Sequence, residues 1–117
     1  TAYDHVMTNI GLIEAGMSFA DMTRVSHRLP EMFRPLRYGV LAHGVGLCDE
    51  YPSVRYPEDV EAHGYGGFFE VGMTLCVEAY IGAVGGHDGV KLEEQVLITD
   101  SGAVPLSTYR YEAAFLD

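Results

Sequence analysis

Positive charge is scarce in this sequence. Seven lysines and arginines stand against seventeen aspartates and glutamates, giving a formal net charge of −10 over 117 residues. A nucleic-acid surface needs a basic footprint to neutralise phosphates, so that class of partner is excluded, and an anionic membrane surface is disfavoured for the same reason. Metal ions and cationic small molecules stay open as partners. Cysteine is also scarce. Cys48 and Cys76 stand far apart with no CxxC pair, which removes zinc ribbons and thioredoxin-type sites. They read as reduced thiols of a cytoplasmic protein, although sequence alone does not exclude a disulfide between them. Long apolar runs are missing too: none could cross a bilayer, and no basic-then-apolar signal segment opens the chain. What is present suits a folded unit, with 48% apolar and 21% charged residues in one domain's worth of chain or less. The chain opens at Thr1 directly in helix-like pattern, as if cut from something longer.

Val6, Ile10 and Ile13 recur at helical spacing and predict an amphipathic helix stopped by Gly16. Ser18 and Asp21 make a capping-box-like start for a second helix through Phe19, Met22 and Val25 to about Leu29, where Pro30 ends it. Residues 31–37, with Pro35 inside, read as loop, and 38–41 as a short apolar piece. After Pro52 the run SVRYPEDVEAHGYGGFFEVGM is rich in Pro, Gly and acids and reads as connection rather than core. From Met73 the texture changes. MTLCVEAYIGAV and GVKLEEQVLIT carry the alternation and β-branched content of strands, with GGHDG as the turn between them and the turn DSG after the second. A short strand or loop and a tail follow, with no internal repeat and no domain boundary.

The stretch AHGVGLCDEYP puts His43 on a glycine-rich loop ahead of the acidic pair Asp49 and Glu50. It is either a metal ligand with a catalytic group beyond it, or a buried histidine in a tight bend. Strand alternation puts Leu75 and Val77 on one face and Cys76, Glu78 and Tyr80 on the other; Lys91, Glu93 and Gln95 likewise share a face. Burying Glu78 in its apolar context is expensive unless it is paired or binds metal. On alternation alone the solvent-facing placement, opposite Lys91, is favoured. His43 with one glutamate from each of two successive strands shifts that balance, because one imidazole with carboxylates suits manganese, iron, cobalt or zinc. His5, His27, His63 and His87 fit no such set and take surface or core roles.

HGVGL, EYPSV, GMTLCVEAYIG and GVKLEEQVLITDSGAVPL, in that order, closely resemble the C-terminal motifs of the creatinase/aminopeptidase P superfamily. The match runs from about Gly11 to Leu106. It implies the pita-bread fold, an α+β architecture with a curved, mostly antiparallel sheet flanked by helices. It further implies that residues 1–117 are the C-terminal portion of the catalytic domain, and that two ligand aspartates on upstream strands are absent. By motif His43, Glu78 and Glu93 carry over as metal ligands, with Glu93 bridging two divalent ions; in most relatives an arginine precedes this last pair, where KLEE stands here. Proline-specific peptidases have a second histidine where Asp49 stands. A carboxylate cannot donate to a developing oxyanion at neutral pH, so that substitution speaks against peptide hydrolysis.

HGVGLCDEYPSV is similar instead to the dimethylsulfoniopropionate lyases (DddP type) of marine bacteria, a branch of that superfamily. The resemblance implies a metal pair, iron first with manganese, cobalt and zinc as alternatives, a small zwitterionic substrate, and Asp49 as general base. Tyr38 is a candidate contact for the sulfonium or, equally, a core tyrosine entering the loop. The resemblance also implies a homodimer for the full-length protein, since relatives are usually dimers, and this piece alone is expected to bind metal poorly and to be inactive. A proline-type metallopeptidase or creatinase-like hydrolase is the runner-up, and a metal-free binding module the third possibility.

Overall fold

The computed structural model describes residues 1–48 and 50–116. Helices α1 (Ala2–Leu12) and α2 (Phe19–Val25) are followed by a 3-10 helix at Glu31–Leu36. Strands β1 (Ala42–Gly44) and β2 (Ser53–Val54) come next, then the single-turn helix α3 (Val60–His63). The long hairpin β3 (Thr74–Gly82) and β4 (Gly89–Thr99) leads into β5 (Gly102–Pro105), and a 3-10 turn at Ala113–Phe115 closes the described chain. The strands form one sheet in the order β2-β1-β3-β4-β5, antiparallel throughout.

Local chemistry accounts for most of these boundaries. The expected apolar stripe of α1 is real: Val6 and Ile10, with Ile13 just past its end, are buried in the core and α1 lies across β3 and β4. Ser18 caps α2 by accepting the Asp21 N–H at 3.0 Å while its hydroxyl donates to the Asp21 carboxylate at 2.7 Å. The second helix stops at Val25, short of Leu29. Beyond it the Ser26 hydroxyl donates to the Thr23 carbonyl and the His27 N–H donates to Asn9 Oδ1 at 2.8 Å, so the backbone leaves the helix with its groups satisfied by side chains. Residues 31–36, expected as loop, wind as a 3-10 helix; the fixed φ of Pro35 suits that conformation as well as a turn.

The expectation that residues after Pro52 form connection rather than core is corrected in part. Val54, Tyr56 and Phe69 are buried. Phe69 meets Phe19 edge to face at 5.1 Å between ring centroids. Its backbone is pinned as well: the Phe69 N–H donates to Met17 O, and its carbonyl accepts from Gly16 N–H at 2.8 Å. Irregular backbone there still delivers large side chains to the core, which composition could not show.

The sheet separates two kinds of side chain. Leu75, Val77, Ala79 and Val96 sit on the face under α1 and are fully buried. The register sets His43 opposite Cys76, Cys76 opposite Gln95, Glu78 opposite Glu93 and Tyr80 opposite Lys91, so all these share the other face.

Candidate metal centre

His43 is the middle residue of β1, hydrogen-bonded between β2 and β3, and not on a loop as its glycine neighbours imply. Three residues are too few for alternation to be seen in sequence. Gly44 follows because the backbone of Tyr51 and Pro52 passes where a Cβ would stand, and its N–H donates to the Pro52 carbonyl at 2.7 Å.

The strand's own backbone turns the imidazole. His43 Nδ1 lies 3.0 Å from the Gly44 carbonyl, which can only accept, so the proton sits on Nδ1 and the Nε2 lone pair faces the sheet. There Nε2 is 3.5 Å from Glu78 Oε1 and 3.5 Å from Glu93 Oε1. Three lone-pair atoms therefore converge with no donor between them. Glu78 is completely buried, and its Oε1 has no hydrogen-bond partner among the described residues. The solvent-facing placement of Glu78 is excluded. On the other side the Lys91 ammonium bridges the pair, 2.9 Å from Glu78 Oε2 and 3.1 Å from Glu93 Oε2, and lies 4.5 Å above the centre of the Tyr38 ring.

Environment splits the two carboxyls. Burial pushes the Glu78 carboxyl above its ordinary range, with the Glu93 charge adding to the effect, while the Lys91 hydrogen bond and charge oppose it. Burial also acts on Glu93, but the hydrogen bonds it accepts from Cys76 and Lys91, with the Lys91 charge, outweigh it and hold that carboxyl below its ordinary range. Lys91 is held protonated by Glu78 first and then by Glu93. The Cys76 thiol is pushed up to about 12 by burial and by its hydrogen bond to Glu93.

The expected ligands His43, Glu78 and Glu93 are thus brought together, and Tyr38 stands beside them through Lys91. Asp49 lies outside the described residues. His5 is buried in the core, His27 is half-buried, and His63 and His87 are exposed. Both cysteines are free, Cys48 exposed and Cys76 half-buried. Two residues of the cluster were not singled out from sequence, Cys76 and Lys91. The signal was available, since alternation already placed each on the face of its neighbouring glutamate. The donor set fits a divalent ion: one oriented imidazole, two carboxylates and a buried, undonated oxygen are what borderline and hard cations take.

Residues 1–100 match metallopeptidase family M24. The chain belongs to that family. Over 115 residues, 98% of its length, it is 46% identical to a dimethylsulfoniopropionate lyase DddP of Roseovarius nubinhibens, covering 26% of that protein. It is 42% identical over 113 residues to the protein of the same name from Roseobacter denitrificans, covering 97% of this chain and 25% of the relative. The M24 chain described here thus spans about a quarter of the length of the curated relatives it matches. Among solved structures it is similar to dipeptidase PepE of Mycobacterium ulcerans, with TM-score 0.69 and 22% identity over 92% of this chain and 28% of that one. It is similar also to an X-Pro aminopeptidase of Thermotoga maritima, with TM-score 0.68 and 20% identity over 93% and 30%. These likenesses fix the fold: the antiparallel sheet with flanking helices is the pita-bread arrangement that the motifs imply.

Proposed function

We propose that this M24 chain is the C-terminal portion of a metal-dependent lyase that splits dimethylsulfoniopropionate into dimethyl sulfide and acrylate. The observation that carries the proposal is the 42–46% identity to two lyases of that name along nearly the whole chain, with His43, Glu78 and Glu93 converging. His43 Nε2 and the two carboxylates would hold the metal, a pair of divalent ions with iron as first choice. When bound, the metal neutralises the substrate carboxylate and stabilises the charge that develops at the adjacent carbon.

Asp49 is the proposed general base. It removes the proton from the carbon next to the carboxylate; the electron pair forms the C=C bond, the C–S bond breaks, and dimethyl sulfide leaves as a neutral molecule. Tyr38 is the proposed contact for the sulfonium. Its ring face already carries the Lys91 ammonium at 4.5 Å, and a sulfonium is attracted by the same quadrupole. No described helix is long and apolar enough to cross a membrane. A cytoplasmic, homodimeric parent acting on a small zwitterion belongs to the same proposal.

The test uses the full-length parent with added iron or manganese. Headspace dimethyl sulfide from dimethylsulfoniopropionate is measured beside release of proline-containing dipeptides. Dimethyl sulfide without peptide cleavage supports the lyase; peptide cleavage without dimethyl sulfide overturns it in favour of a hydrolase, and neither product favours a metal-free binding module. Asp49→Asn should keep the metal and lose turnover.

A further inference from the structure

We propose that Cys76 is itself a metal donor, so that His43, Cys76 and Glu93 form an imidazole–thiolate–carboxylate face for a borderline-soft divalent ion such as cobalt(II) or zinc. The inference rests on the cluster being a metal centre and adds a ligand of different chemistry to it.

Register carries the first step. The β1–β3 pairing sets His43 directly opposite Cys76, and the β3–β4 pairing sets Cys76 one step along the same face from Glu78 and Glu93. One donor atom each from His43, Cys76 and Glu93 lies within 4.8 Å of the others. A tetrahedral ion with metal–sulfur and metal–nitrogen bonds of about 2.3 and 2.0 Å needs these atoms only modestly closer, well within side-chain rotation.

The second step is independent of the cysteine. Glu78 is fully buried, and its Oε1 points into the same space, 3.5 Å from His43 Nε2, without a hydrogen-bond donor. The same two carboxylates already draw a cation on their other side, since the Lys91 ammonium bridges their Oε2 atoms. An incoming metal takes the Oε1 side of the carboxylate pair, away from the ammonium on the Oε2 side, and the thiol releases its proton to solvent as the sulfur–metal bond forms. Sulfur then selects softer ions over magnesium, calcium and manganese.

The experiment titrates the metal-free full-length parent anaerobically, under reducing conditions, with cobalt(II) alone and records its absorption spectrum. The expected result is ligand-field bands in the visible together with a near-ultraviolet thiolate-to-cobalt charge-transfer band. Cys76→Ser should abolish the charge-transfer band while keeping the visible bands, and Cys48→Ser should leave both. Visible bands that depend on His43 without any charge-transfer band in the unmodified chain would overturn the thiolate ligand and leave the metal centre standing. A charge-transfer band lost in Cys48→Ser and kept in Cys76→Ser overturns it equally. No cobalt spectrum at all overturns the thiolate ligand and the metal reading together.

Discussion

Acid should unfold this domain partly through one histidine in α1. His5 is fully buried in the core, and its hydrogen bonds define its protonation. Asn9 Oδ1 accepts the His27 N–H at 2.8 Å, which fixes the amide and turns Asn9 Nδ2 to donate into His5 Nε2 at 3.1 Å. Tyr56 Oη lies 3.3 Å from the same nitrogen. Nε2 is therefore an acceptor, and Nδ1 carries the proton toward His27 Nδ1 at 3.1 Å. A second proton would have to sit on Nε2, facing an amide donor in the core. Burial first, and the His27 charge second, lower the His5 pKa from 6.5 to about 4.

The sign follows from the unfolded chain, which protonates near 6.5. Stability is full above that value and falls as pH drops, because the unfolded state takes a proton the folded state refuses; the loss saturates below about 4. At about 1.36 kcal/mol per pH unit, the whole interval is worth about 3 kcal/mol. For a small domain that is a large share of its net stability. The assay is urea unfolding of the wild type and His5→Gln at about pH 7 and about pH 4.5. Carboxyl titrations, including that of Glu78, are common to both proteins and cancel in the comparison. The wild type should lose about 2–3 kcal/mol more than the variant between the two pH values. Equal losses would refute the assignment of a neutral, core-locked His5.

Three further outcomes follow from packing and charge. Lys91→Met strips Glu78 of its cation; because Lys91 is partly exposed, the cost in urea unfolding at neutral pH should be only about 1–2 kcal/mol, shrinking as acid protonates Glu78, and an unchanged midpoint would contradict the bridge. Phe69→Ala should cost about 3–5 kcal/mol and Phe68→Ala, 62% exposed, close to nothing by thermal unfolding; similar costs would show that residues 66–70 do not seal the core as described. Gly44→Ala drives a methyl into the Tyr51–Pro52 backbone and should cost at least about 1–3 kcal/mol, with a wild-type melting temperature as the contrary result.

How much of this was legible in the sequence depends on what each feature rests on. Periodicity is local, so α1, the β3–β4 hairpin and the shared face of Cys76, Glu78 and Tyr80 could be read directly. The premature end of α2 could not, because it depends on Asn9 in another helix capturing the His27 N–H. Phe69 was hidden in a glycine-rich run whose composition resembles a surface loop, although its backbone is tied to residues 16 and 17. His43, Glu78 and Glu93 were singled out by motif, and their convergence needs the β1–β3 and β3–β4 registers, which no local pattern contains. The burial of Glu78 ran against alternation, because alternation names a face and does not say what covers it. Here Lys91 and His43 of the same sheet face stand against Glu78, and the 3-10 helix at Glu31–Leu36 packs on its strand.

The charges around Glu78 also bear on the proposed metal site. Glu78 and Glu93 stand directly opposite each other across β3 and β4, a like-charge pairing that weakens a sheet. One of the two is completely buried, which costs more unless its charge is compensated. Apolar residues at both positions would give a more stable hairpin, so folding alone does not account for the pair. Lys91 contributes a single positive charge against two negative ones, and it leaves Glu78 Oε1 and the His43 lone pair pointing at each other across 3.5 Å. A divalent ion at that point would balance the second charge and occupy the lone pairs that Lys91 cannot reach. The charge left uncompensated is therefore the kind a cation site relieves, and it lies where His43, Glu78 and Glu93 converge.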